Sequence, residues 1–209
     1  MVHFTLFGIP VYIRPSFWVV LAIFGGALSI SSVEDLIYPA LFVIAGFIAI
    51  LSHEMGHALV GRKLGGGQQT IVLELFGGLT SSHGMQLTRG GRALMILAGP
   101  MMTLLLGIIS LWLTWNIVAP VMTSYNLNFW DLAISPFTAA LISPKLYILS
   151  CLIMIGEWWT ILNLLPIYPL DGGQLIAQYI RSPRKVFMTG FITVSYTHLR
   201  AHETRGNLV

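Results

Sequence analysis

The stretch ALMILAGPMMTLLLGIISLWLTWNIVAPVMTSYNLNFW, from Ala93 to Trp130, carries no charged side chain. A membrane-spanning helix needs about 20 mostly apolar residues, about 17–25 in practice, so this stretch is too long for one span. Its first part, 93–118, reads as a span that ends just ahead of Pro120. The remainder, 119–145, reads as a connecting loop with Phe129 and Trp130 as an interfacial aromatic pair. Upstream, 36–60 reads as a second span interrupted only by His53, Glu54 and His57, and 16–33 as a first. Downstream, 146–165 is a fourth span stopped by Pro166 and Pro169, 172–180 a short helix, and Val186 opens a fifth span that the tail truncates.

Between the second and third spans, the short alternating runs at 70–76 and 79–82 flank Gly77-Gly78 and predict a hairpin of short strands. A strand edge left in lipid is costly, so the hairpin is expected to be covered by protein or to line a wet cavity. The expected fold class is an all-α polytopic membrane protein. About five transmembrane helices are present, the last truncated, with a small membrane-inserted β-hairpin between helices two and three.

Composition supports this reading. Of 209 residues, 56% are hydrophobic and 9% charged, against about 25% charged in a soluble domain. That deficit excludes a soluble enzyme, a nucleic-acid binder and a disordered chain, and the lipid bilayer is the first partner. The net charge of +3 is small and dispersed, which argues against a nucleic-acid partner. The single cysteine, Cys151, allows no intrachain disulfide. With the spans above, Arg14, Arg62, Lys63, Arg89, Arg92, Arg181, Arg184 and Lys185 all fall on one side, and Glu34, Asp35 and Lys145 on the other. The positive-inside rule then places the N-terminus in the cytoplasm. Residues 1–194 are read as one transmembrane domain. Residues 195–209 abruptly end an apolar segment and resemble translated sequencing-adapter read-through, so they are read as a non-native tail on a natural protein that is longer.

His53-Glu54-Met55-Gly56-His57 lies in the second span. On a helix, positions i and i+4 are neighbours, so both imidazoles can bind one metal ion. Glu54 can then reach a metal-bound water as general base, the arrangement of zinc metalloproteases. A charged group at the bilayer centre costs at least about 2.5 kcal/mol on insertion scales, so three ionisable groups together in an uncharged span point to function. A helix-packing polar cluster is the blander alternative. Two histidines leave a catalytic zinc one protein ligand short. Asp171 is the acid near the inner end of the fourth span, and His53, about 25 Å from the outer end of its helix, lies at a matching depth. For Asp171 alone, a helix N-cap is the competing reading.

These residues resemble the site-2 proteases, a family of intramembrane zinc metalloproteases. The resemblance rests on His53-Glu54-Met55-Gly56-His57, on Asn163…Pro166…Pro169-Leu170-Asp171-Gly172 and on Ala98-Gly99-Pro100. The opening Phe7-Gly8-Ile9-Pro10-Val11 with Arg14-Pro15-Ser16 looks like the branch related to the sporulation sigma-factor processing protease. The resemblance implies one zinc per chain held by His53, His57 and Asp171, with Glu54 as catalytic base. It implies Asn163 as a polar group near substrate or oxyanion, and Gly77 and Gly78 as the glycine pair of a hairpin whose edge holds an unwound substrate strand. One departure is Met101-Met102-Thr103, where relatives often carry an Asn.

The implied function is a multi-pass metalloendopeptidase of the bacterial cell membrane with its active site toward the cytoplasm. It would cut peptide bonds in or near transmembrane segments of membrane-anchored regulatory proteins, such as a sigma-factor precursor or an anti-sigma factor. The alternatives are a non-proteolytic scaffold or chaperone, and a metal or ion transporter using Glu157 and the histidines as relay sites. His83 reads as a solvated loop residue, and His198 and His202 as a decoy pair in the tail.

Overall fold

The computed structural model describes residues 1–75, 77–125 and 128–179. The chain divides into two compact units, Met1–Thr160 and Ile161–Val209.

The first unit is built on a four-stranded sheet ordered β1-β2-β3-β4. Strands β1 (Val2–Leu6) and β2 (Ile9–Ile13) are antiparallel. They are joined at Phe7-Gly8, where both residues have positive φ, 49° and 75°. A two-residue turn of that hand matches the twist of the strands that it connects. Strand β2 runs parallel to β3 (Gln68–Glu74), Val11 opposite Ile71. Strand β3 pairs antiparallel with β4 (Gly77–His83), Ile71 opposite Thr80. A parallel pair needs a long crossover, and α1 (Pro15–Phe24) and α2 (Ile37–Gly65) supply it. Alternation buries Ile9, Val11, Ile13, Ile71 and Leu73 on one face, in a core shared with Phe17 of α1 and with Ile50, Met55 and Ala58 of α2. The predicted hairpin is therefore half of a larger sheet. Pro10 argues against a strand at the N-terminus, yet it pairs opposite Thr5.

The predicted first span, 16–33, is corrected. Helix α1 has ten residues, about 15 Å of rise against a hydrocarbon core of about 30 Å. It stops at Gly25-Gly26, where Gly26 takes a φ of 88°. Short 3-10 turns at Ala27–Ser29 and Glu34–Leu36 then lead into α2. Three helices among the described residues are long and apolar enough to cross a membrane: α2, α3 (Arg89–Tyr125, with its apolar span over Arg89–Ala119) and α6 (Pro144–Leu164). Helix α3 continues past Pro120, and α4 (Phe129–Ile134) and α5 (Pro136–Ala140) occupy much of the predicted loop. The predicted fifth span, Arg181, Arg184, Lys185 and the 195–209 tail lie outside the described residues.

Helices α2 and α3 meet through small residues. A Cβ added at Gly56 would run into the Ala98 carbonyl, and one at Gly61 would lie 2.9 Å from Met95 Sδ. Lipid tails are as apolar as leucine, so membrane helices gain by letting backbones approach in this way. Helix α6 is tied to α3 by polar groups: Thr103 and Thr160 share a hydrogen bond of 2.8 Å, and Thr160 also donates to the Pro100 carbonyl at 3.3 Å. Thr103, in the segment that departs from the family pattern, is thus a buried helix-packing residue.

The second unit carries the last turn of α6, a turn through 165–170 and α7 (Asp171–Ala177). Gly172 and Gly173 let the start of α7 press on the preceding chain, because added Cβ atoms would strike the carbonyls of Leu164, Leu165 and Ile167.

Candidate metal centre

On α2, the i, i+4 spacing brings His53 and His57 together with Nε2 atoms 3.0 Å apart and rings nearly perpendicular, at 80°. Both are buried, as is Glu54 between them, in a helix that is mostly apolar on either side of the motif. The carbonyl of Met95, on α3, lies 2.8 Å from His57 Nδ1. A carbonyl only accepts, so Nδ1 bears the proton and Nε2 presents its lone pair, as a metal-ligating imidazole must.

Gly99 of α3 faces both Nε2 atoms. A Cβ there would collide with His57 Nε2 and lie 2.9 Å from His53 Nε2. The glycine of Ala98-Gly99-Pro100 therefore leaves free, beside both Nε2 atoms, the room that any side chain would fill. Two nitrogens on a tetrahedral zinc, with bonds of about 2.0–2.1 Å, stand about 3.3 Å apart, close to the spacing found. The donor set and the open cradle fit zinc.

Glu54 turns toward the sheet. Its Oε2 accepts a hydrogen bond of 2.7 Å from the Thr80 hydroxyl of β4. Gly78, two residues earlier on the same strand, makes room for its stem, since an added Cβ would strike Glu54 Cγ. Gly77, with a φ of 134°, packs against the Trp159 ring, 2.9 Å from where its Cβ would stand. The sequence reading of Gly77-Gly78 as the turn of the hairpin is corrected: both glycines stand on β4, opposite Glu74 and Leu73, where missing side chains let Trp159 and Glu54 pack against the strand. Thr80, Met95 and the cradle role of Gly99 were not singled out in the sequence. The one signal for Thr80 is strand period two, which places it on the same face as Gly78.

In the second unit, Asp171 is buried and is the first residue of α7. Leu170 holds the N-cap position, so the N-cap reading of Asp171 is corrected. Asn163 is half-buried on the last turn of α6, while Glu157 and His83 are exposed. The first unit thus supplies the buried pair His53 and His57, and the second unit the buried carboxylate Asp171.

Comparison with known proteins agrees with this chemistry. A zinc metalloprotease of Methanocaldococcus jannaschii is 29% identical over 174 residues, 83% of this chain and 43% of the relative. A candidate zinc metalloprotease of Synechocystis is 28% identical over 188 residues, 84% of this chain and 43% of the relative. The chain thus spans less than half the length of these relatives. The solved structure of a site-2 protease from Methanocaldococcus jannaschii shares the fold, with a TM-score of 0.59 at 24% identity over 88% of this chain and 75% of that one. Residues 41–197 match the sequence profile of Peptidase family M50, and the chain belongs to that family.

Proposed function

We propose that this chain is the membrane domain of an intramembrane zinc metalloendopeptidase that cuts membrane-anchored proteins. The observation that carries the reading is the pair of Nε2 atoms 3.0 Å apart in front of Gly99, beside a buried glutamate on the same apolar helix. In this reading His53, His57 and Asp171 hold one zinc ion. When bound, zinc lowers the pKa of water toward about 7 and polarises a peptide carbonyl.

The chain's own groups do the rest. His57 is held in its ligand tautomer by the Met95 carbonyl. Glu54 accepts a proton from the attacking water and passes it to the leaving amine. Asn163 offers a polar contact to substrate or oxyanion. Among the described residues strand β4 pairs in the sheet with β3 alone, which leaves its other edge for an extended substrate segment, with Gly77 and Gly78 on that strand. A helical substrate hides its carbonyls, and strand addition presents them. Arg62 and Lys63 at the end of α2 and Arg89 and Arg92 at the start of α3 favour a cytoplasmic setting for that end of the two helices, and with it for the site. The N-terminal motif favours a bacterial sigma-factor precursor or anti-sigma factor as the substrate class.

The test is zinc per chain on detergent-purified protein, followed by cleavage of a fluorophore–quencher peptide built on one transmembrane segment with a helix-breaking Gly-Pro. The parent should hold one zinc, and His53→Ala and Asp171→Ala should each lose it. Glu54→Gln should keep zinc and lose about 10²–10⁴-fold in cleavage rate. A folded parent without zinc would sink the reading in favour of a scaffold.

A further inference from the structure

We infer that Thr80 is a positioning residue for Glu54, fixing the base to the sheet edge that receives substrate; this rests on the reading of Glu54 as base. The Thr80 hydroxyl lies 2.7 Å from Glu54 Oε2 and 3.2 Å from the Glu54 backbone carbonyl. A hydroxyl has one proton to give, and the shorter contact to a carboxylate oxygen is the stronger hydrogen bond. Donation therefore goes to the side chain. The second contact keeps the hydroxyl over the α2 backbone at the same residue.

Strand geometry makes this a clamp. Residues i and i+2 of a strand share a face, so Gly78 and Thr80 both face α2, while Leu79 between them is exposed. Gly78 removes the side chain that would push Glu54 away, and Thr80 supplies the donor that holds it. Behind them, the register is pinned by β3, with Leu73 opposite Gly78 and Ile71 opposite Thr80. Ile71 and Leu73 are fully buried in the core that also holds Met55 and Ala58 of α2. The strand that aligns an extended substrate and the carboxylate that acts on it are thus held in one rigid frame. A glutamate without this donor would still sit in the site but would sample other rotamers. Misplacement of a reacting group by about 1 Å can cost about 10²-fold in rate.

The test has one arm that needs neither zinc nor substrate. In metal-free protein, the infrared difference between parent and Glu54→Gln isolates the Glu54 carboxyl band. Thr80→Val should shift that band and Thr80→Ser should leave it in place. In the zinc-loaded protein, Thr80→Val should retain the metal and the KM for the fluorophore–quencher peptide while kcat falls about 10–100-fold. Thr80→Ser should stay within about threefold of the parent. Thr80→Ala serves as a second hydroxyl-free variant if the valine protein does not fold. An unshifted band in the hydroxyl-free variants, or serine and valine variants equally impaired, would overturn the proposal. Full activity of Glu54→Gln would instead overturn the reading on which it rests.

Discussion

Helices α2 and α3 are both membrane spans by length and composition, and α3 is the more apolar of the two, yet they are used in opposite ways. Helix α2 buries Ala45, Gly46, Ala49, Gly56, Ala58 and Gly61 together with His53, Glu54 and His57. Helix α3 turns Leu105, Ile108, Ile109, Trp112 and Trp115 outward. In water the more apolar helix would be the better buried. In a bilayer, apolar area gains nothing by leaving lipid, and association follows close backbone approach and polar contacts. On α2 the inside is therefore marked by small and polar residues, with Ile50 and Met55 the bulky ones among them, and on α3 the outward face is marked by bulky apolar ones.

The largest expected effect is at the one place where α3 contributes to the polar centre of α2. Gly99→Ala would put a methyl group against both Nε2 atoms. The expected outcome is a loss of zinc affinity of about 10–100-fold, on the scale of disturbing a ligand's immediate support, in a protein that still elutes as a folded species. Zinc titration against a competing chelator reads it. Unchanged affinity would mean that the histidines do not use the space that Gly99 leaves open.

A matched pair of variants tests the packing side of the comparison. Gly56→Ala adds one methyl where α2 touches the Ala98 carbonyl, and should destabilise by about 1–3 kcal/mol, as overpacking does. Ile108→Ala removes three carbons from the outward face of α3 and should change stability by no more than about 0.5 kcal/mol. Thermal unfolding of both in the same detergent reads the difference. Equal losses would show that the outward face of α3 is covered by protein.

This inversion also explains what the sequence disclosed. The zinc-type motif was legible because ionisable groups are rare in an apolar run, so His53, Glu54 and His57 stood out against their neighbours. The spans of α2 and α6 were legible from length and the scarcity of charge, with Glu54 and Glu157 the one Asp, Glu, Lys or Arg residue within 36–60 and 146–165 respectively. Helix α1 was over-extended because Gly25-Gly26 lies in a run that is apolar throughout, and hydropathy does not register a left-handed glycine. The N-terminal strands were missed because Pro10 and a short alternation gave no clear period. Thr80 was invisible for a different reason: its importance comes from the residue across from it on α2, twenty-six positions away, and no local pattern encodes that pairing.

The smallest expected effect concerns how the two helices begin. Helix α3 starts on Thr88, whose hydroxyl accepts from the Gly91 N–H at 3.1 Å, the ordinary N-cap. Helix α2 has no side-chain cap of its own. The turn before it is tied by Asp35, whose Oδ2 accepts from the Ser31 N–H at 3.1 Å, the Ser31 hydroxyl at 3.0 Å and the Ser32 N–H at 2.9 Å. Those donors, the Ser31 N–H first, hold the carboxyl below its ordinary pKa of 3.8. A carboxylate whose folded pKa is depressed lends stability above its unfolded value, and that stability is lost as pH falls through the folded one. Amide exchange at Ser31 and Ser32 should therefore be slowed at pH 5 and above and lose that protection, relative to intrinsic rates, as pH drops below 3.8. Asp35→Asn, whose amide oxygen still accepts but does not titrate, should show protection without that pH dependence, while zinc binding stays as in the parent. If the asparagine variant lost zinc as well, the lead-in to α2 would be coupled to its buried polar centre, and the two ends of that helix could not be treated as independent.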